Sequence, residues 1–306
     1  MVHPSDSLAI RIGPLRYEFV AHDAWGQDLL VRLQANLDCV PFSGQPERVL
    51  HLLEFHPTRQ EYADISEHRL PDRLANELPQ YVPQCGWRLT GDETGLLCWY
   101  QDETEHAIGS YHSLPGVQPS PFHLPWQLML QDMIQAGGGI LHGGLALYHG
   151  RGYLLTAPPG GGKTTALSRL PAPWQVLADD TSLVWPGPAG KFRGSPLPTW
   201  SVLLSRSEAI PAIERWQVGR AVDLAGVMLL RKARRERLSP LPPIQAAQHL
   251  YRALSEHPRV VSNRTPFRLQ LFHTACCLAR AIPCWELELT RHGRFWDVLG
   301  EALPCA

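Results

Sequence analysis

One stretch of the chain, LLTAPPGGGKTTALSRL (154–170), limits its fold more than any other. An apolar run feeds Pro-Pro-Gly-Gly-Gly, and a lysine, two threonines and an apolar-periodic segment follow. The run reads as a strand, the periodic segment as a helix through Leu170, and WQVLADD (174–180) as the next strand. Strand, glycine-rich loop, helix, strand is the opening of a P-loop α/β unit. Lysine is scarce here, with only Lys163, Lys191 and Lys232 among 28 basic residues, so a lysine set directly after three glycines is a specific signal.

The pattern G-x-x-x-x-G-K-[ST] has a physical mechanism: backbone N–H groups wrap phosphates, the lysine reaches the β/γ oxygens and the hydroxyl ligates Mg²⁺. In this chain Ala157 takes the first glycine's place, and Gly160, Gly161 and Gly162 keep the positions where backbone must approach a ligand. The nucleotide-holding set is then Pro159, Gly160, Gly161, Gly162, Lys163, Thr164 and Thr165, with Thr164 also on the metal. The helix that follows points its positive end at the anion. Asp179 and Asp180 close the next apolar strand, where a P-loop protein holds its Mg²⁺. One carboxylate could serve the metal while the other accepts a proton from an incoming hydroxyl. The plain alternative is a turn, since Asp-Asp-Thr-Ser is good turn chemistry. His142, in ILHGG, lies 21 residues before Lys163 and is one of 14 histidines.

Around this unit the chain divides at SLPGVQPSPFHLPW (113–126), a stretch with four prolines. Residues 1–118 form a smaller N-terminal α+β domain of short strands or meanders, with one helix over 23–37; residues 119–306 form the larger α/β domain. The latter opens on a helix from Trp126 to about Ala136, followed by a hairpin of Leu145–Tyr148 and Tyr153–Thr156. Further on come a strand within AVDLAGVMLL, a helix in PIQAAQHLYRALSEH, and a helix then a strand in RLQLFHTACCLARAIPCWELELT. RFWDVLGEAL reads as a closing helix. RKARRER (231–237) is a basic cluster at a strand exit, either solvated or placing Arg231 or a neighbour toward a phosphate or an acidic peptide.

A formal net charge of −1 speaks against nucleic acid or an anionic membrane as partner. Seven cysteines without a CxxC pair argue against a disulfide framework or a structural zinc. No basic segment with an apolar run opens the chain, and no run approaches the ~20 apolar residues of a membrane span, so a soluble, cytoplasmic protein is expected.

Taken together, HGGLALYHGRGYLLTAPPGGGKTTALSRL…VLADD resembles the core of the bacterial HPr kinase/phosphorylase family. In that family a His-Gly precedes a hairpin, the hairpin runs into the P-loop and a Leu-Ala-Asp-Asp follows. The likeness is close over about forty residues and looser over the rest of the C-terminal two thirds. It implies the P-loop fold shared with phosphoenolpyruvate carboxykinase, with ATP and Mg²⁺ as cofactors. By the same resemblance Lys163 and Thr164 would hold phosphates and metal, Asp179 would be the base toward a serine hydroxyl, Asp180 would lie nearer the metal, and His142 would sit beside the γ-phosphate. HPr kinases also carry Glu-Ile-Arg-Gly-Leu-Gly-Ile after the Asp pair. Here the nearest stretch is KFRGSPLPTW (191–200), which keeps Arg193 and Gly194 but has Lys191 in the glutamate position. That departure argues against phosphorylase activity and against HPr as substrate. It brings the chain closer to HPr-kinase-like proteins encoded with peptide-modifying enzymes, including kinases of ribosomally made peptides such as lasso peptides.

The expected activity is an ATP- and Mg²⁺-dependent transfer of the γ-phosphate to a serine or threonine of a peptide or small protein. In it Lys163 and the loop hold the phosphates, Asp179 takes the proton and Arg193 steadies the phosphoryl group or the acceptor. A nucleotide-binding recognition module of a biosynthetic complex, and a small-molecule kinase or NTPase, are the alternative readings. HPr kinases are hexamers, which leaves a homo-oligomer open.

Overall fold

The computed structural model describes residues 6–38, 40, 42–66, 69–78, 86–91, 96–101, 105–111, 123–158, 160–198, 216–256 and 265–303. It is an α/β structure with two mixed sheets, and the chain divides into two compact units, Met1–Asp132 and Met133–Ala306.

In the first unit β1 (Ser7–Ile12) and β2 (Leu15–Ala21) form a hairpin, and α1 (Ala24–Asn36) crosses to β3 (Arg48–Glu54). Two short helices, α2 (Arg59–Ser66) and α3 (Asp72–Glu77), precede β4 (Arg88–Gly91), β5 (Leu96–Tyr100) and β6 (His106–Tyr111). The sheet order is β1-β2-β3-β6-β5-β4. Meanders were expected, and the hairpin pairings of β1 with β2 and of β4, β5 and β6 have that form. The centre is different: β2, β3 and β6 run parallel, because α1 carries the chain back to start β3 beside β2. Asp23 starts that helix by accepting the Gly26 N–H at 2.8 Å, and Leu29, Leu30 and Leu33 bury its inner stripe. Leu53, Phe55, Leu74, Trp99 and Ile108 form a core on this sheet.

The helix α4 (His123–Gln135) begins inside the proline-rich stretch and leads to β7 (Gly139–His142), β8 (Gly144–Tyr148) and β9 (Arg151–Thr156). His149 and Gly150 join β8 to β9 with φ of +48° and +77°, the two positive angles that a tight hairpin turn requires. After β9 come the glycine loop, α5 (Lys163–Ser168) and β10 (Gln175–Ala178), then β11 (Thr181–Pro186) and β12 (Phe192–Leu197). The rest is β13 (Val222–Lys232), β14 (Arg237–Pro240), α6 (Pro243–Ser255), α7 (Thr265–Ala281), β15 (Cys284–Leu289) and α8 (Phe295–Ala302). The sheet path is β10-β8-β9-β13-β12-β11-β7, with β15 also on β13 and β14 on β15. Strand β13 organises the unit. Its first residues pair with β12, while its later ones run parallel to β9 on one side and to β15 on the other. Thr156, at the end of β9, is opposite Leu229, so the loop emerges beside the exit of β13. Ala157, Ala166, Leu167, Met228, Leu287 and Phe295 belong to the core beneath it. No helix among the described residues is long and apolar enough to cross a membrane.

Candidate active site around the glycine loop

The loop's shape comes from its glycines. Gly160 and Gly162 have φ of +71° and +96°, in the left-handed region that side-chain-bearing residues seldom occupy. Ala157 is buried in the core and needs no such freedom. Pro159 lies outside the described residues. The expected helix is shorter than its periodicity suggested: α5 ends at Ser168, and Arg169 closes it by donating its N–H to Ala166 and Leu167 carbonyls. Its first N–H groups have no intrahelical acceptor, and its N-cap, Gly162, has no side chain to supply one.

Four ionisable side chains meet at the loop's floor. Lys163, 7% exposed, has its Nζ 2.7 Å from His142 Nε2 and donates to the Ala157 carbonyl at 3.2 Å. Asp180 Oδ1 lies 3.7 Å from the same ammonium, and Oδ2 lies 3.4 Å from His142 Nδ1. Glu256, capping the end of α6, places Oε2 3.4 Å from His142 Nε2. A nearly buried ammonium is tolerated only with hydrogen bonds and opposite charge close by, and Asp180 provides that charge. Register explains the meeting: His142 ends β7 directly opposite Thr181, so the residue before Thr181 stands beside the imidazole. The glycines after His142 bring the helix in. A Cβ on Gly144 would fall 2.2 Å from Leu167 Cδ1 and 2.8 Å from the Ala178 carbonyl oxygen.

A cleft of about 820 Å³ opens above this floor, within the range of small-molecule sites. Gly160 to Ala166 form one side, with His142 and Asp180 at the base, and Lys232, Ala233 and the turn Leu289–Arg291 form the other. Arg169 ties the two sides together. Its guanidinium donates to the carbonyls of Thr290 (3.3 Å), Arg291 (2.9 Å) and Gly293, and stacks near Phe295 and Trp296 at 5.5 and 5.6 Å from the ring centres. The Thr290 hydroxyl donates to Glu236 at 2.6 Å, and that bond holds the Glu236 carboxyl below the usual range. Among the described residues no three His, Cys, Asp or Glu side chains gather into a metal-holding group.

His142, Gly160, Gly161, Gly162, Lys163, Thr164, Thr165 and Asp180, all candidates from sequence, come together on the cleft wall. Asp179 does not line it and is 6% exposed. Arg193 is placed elsewhere: it donates to the Ala221 carbonyl at 3.1 Å and lies 3.3 Å from Asp223. Asp223 stands six residues before Leu229 on β13, about 20 Å back along the strand from the loop. Lys191, just before β12, is exposed. Arg231 pairs with Glu286 at 3.1 Å and with Glu288, whereas its neighbour Lys232 reaches the cleft. Sequence reasoning missed Glu256, Arg169 and the Thr290–Arg291 turn. Arg169 stood inside the quoted loop segment and could have been weighed; Glu256 has no local signal at all.

A family model described as SynChlorMet cassette protein ScmC matches residues 126–304. That span includes every element from β7 to α8, and with them the whole cleft wall. No curated protein matches the chain.

Proposed function

This chain belongs to the family of SynChlorMet cassette protein ScmC, and we propose that it is an ATP- and Mg²⁺-dependent kinase acting on a serine or threonine hydroxyl of a peptide or small protein, with a ribosomally made precursor peptide as the substrate class. The observation that carries this reading is the floor of the cleft. One lysine follows three glycines, is held at 2.7 Å from a histidine, and lies within 4 Å of an Asp at the next strand's end. Phosphoryl transfer asks for positioning and charge neutralisation more than for covalent chemistry by the protein, and those are the properties of this floor.

In this reading the loop N–H groups and Lys163 bind the β- and γ-phosphates. Mg²⁺ keeps much of its water and takes one or two protein oxygens beside the phosphates, so Thr164 and Asp180, both on the cleft wall, are a sufficient set. Bound there, it would neutralise charge on the phosphate oxygens. Of the carboxylate pair Asp180 is the member on the cleft wall, so the metal role falls to it, whereas Asp179 is 6% exposed and does not line the cleft. His142, between Asp180 and Glu256, orients both the carboxylate and the ammonium of Lys163. The family's description as a cassette protein supports a partner encoded alongside it.

The test is Mg²⁺-dependent ATP turnover with and without the small peptides encoded beside the gene. Stimulation by one peptide, lost in Lys163→Ala and Asp180→Asn, is the expected outcome. ATP binding that depends on Lys163 but never leads to transfer would replace the kinase with a nucleotide-dependent recognition module.

A further inference from the structure

We infer that Lys232 is a second phosphate-binding cation of the cleft, reaching over the loop's rim while Lys163 holds its floor; this rests on the nucleotide reading above. Lys232 is the last residue of β13, opposite Leu289 of β15, and the parallel pairing with β9 brings that strand exit alongside the loop. Its Nζ donates to the Gly160 carbonyl at 2.8 Å, and its Cε passes 3.8 Å from where a Cβ on Gly162 would stand. The two lysines therefore hold the loop at two points, Lys163 from the floor at Ala157 and Lys232 from the facing wall at Gly160.

Their charges are balanced differently. Lys163 has Asp180 at 3.7 Å. The guanidinium of Arg169 is spread over three carbonyls. Glu286 and Glu288, the acids closest in register to Lys232, are engaged by Arg231. Among the described residues the Lys232 ammonium has a neutral carbonyl as its partner, so one of three donors is used and the positive charge is not cancelled. It is exposed, which keeps it hydrated and free to swing to a ligand. A ligand with a single phosphate seated on Lys163 has no need of this second cation. A chain of two or three phosphates running along the loop toward its rim meets both. The cleft is thus built for a polyphosphate ester, with Lys232 reading its length.

Calorimetric titration of the full-length protein with ATP, ADP and AMP, in Mg²⁺, tests the idea in the wild type, Lys232→Gln and Lys232→Arg. A charge-assisted hydrogen bond of ordinary strength predicts that Lys232→Gln weakens ATP and ADP by roughly ten- to hundredfold while AMP changes little. Lys232→Arg should recover most of the loss, and unfolding midpoints should agree among the three proteins. Equal weakening for all three nucleotides would make Lys232 a structural staple of the loop and overturn the inference, as would unchanged ATP affinity in Lys232→Gln. Should the wild type bind no nucleotide, titration with tripolyphosphate separates the two claims. Binding that depends on Lys232 retains the phosphate role and sinks only the nucleotide reading, and no binding sinks both.

Discussion

A methyl group on Gly161 would stand 2.6 Å from the Ala157 Cβ and 2.8 Å from the Pro158 carbonyl oxygen. Both neighbours are short or main-chain atoms that cannot swing aside, so a side chain there forces the loop open. Gly161 also donates its N–H to Pro158 at 2.8 Å, and the same shift would break that bond. Gly161→Ala should therefore weaken nucleotide binding by roughly five- to hundredfold, through strain on the order of 1–3 kcal/mol at the loop. Because Ala157 belongs to the core beneath the loop, the unfolding midpoint should fall as well, by no more than that strain, while the titration moves. The three glycines in a row thus answer to two requirements, backbone angle at Gly160 and Gly162 and space at Gly161.

Among the elements, the unit from β9 to β10 was legible because its signals are local. An apolar run, a glycine cluster, helical periodicity and a strand ending in Asp-Asp follow one another within 27 residues. The strands β7, β11 and β12 were not legible, and their residues explain why. Two glycines precede β7 and a third opens it, and β12 is FRGSPL, where Gly194 and Pro196 read as breakers. Yet a Cβ on Gly194 would lie 2.9 Å from Leu224, and Pro196 sits opposite Ser182 within the ladder. The sheet selects these residues for fit to non-local partners, and a window of sequence does not contain those partners. The same holds in the site. Lys163 and Asp180 could be found by spacing and His142 by the family resemblance, whereas Arg193 was carried over from a motif whose strand leads away from the loop. The Arg169 clamp supplies a test at this scale. Arg169→Ala removes donors to three carbonyls and the stacking on Phe295 and Trp296, which should cost about 2 kcal/mol in urea unfolding. Arg169→Lys should not rescue it, because one ammonium cannot span the three carbonyls and lie flat on the rings.

In the molecule as a whole, the family match at 126–304 covers the unit that holds the cleft, and the first unit has its own polar core. Arg48 donates to Asp132 at 2.9 Å with both side chains under a tenth exposed, and Tyr17 donates to the same carboxylate at 2.9 Å. Removing the cation alone leaves a buried carboxylate, so Arg48→Met should cost about 3–5 kcal/mol. Three residues along the same strand from Arg48, His51 forms a line with His22 and His106, with ring nitrogens 2.9 and 3.1 Å apart. Burial pushes His51 down to about 3, with its two neighbours adding to the effect. Its unfolded counterpart takes a proton near pH 6.5, so stability is full above that value and drains as the pH falls toward 3. The slope is up to about 1.4 kcal/mol for each pH unit per group. His51→Gln should flatten it, as read from urea midpoints at pH 7 and pH 5. The expected acid response lies in the first unit, and the proposed chemistry in the second. The most direct test of that chemistry is to incubate the whole protein with ATP, Mg²⁺ and the peptides encoded beside its gene, and to locate added phosphate by tandem mass spectrometry. A phosphorylated serine or threonine on one peptide, absent with Lys163→Ala, is the predicted result; peptides that stay unmodified while the protein binds ATP through Lys163 would contradict it.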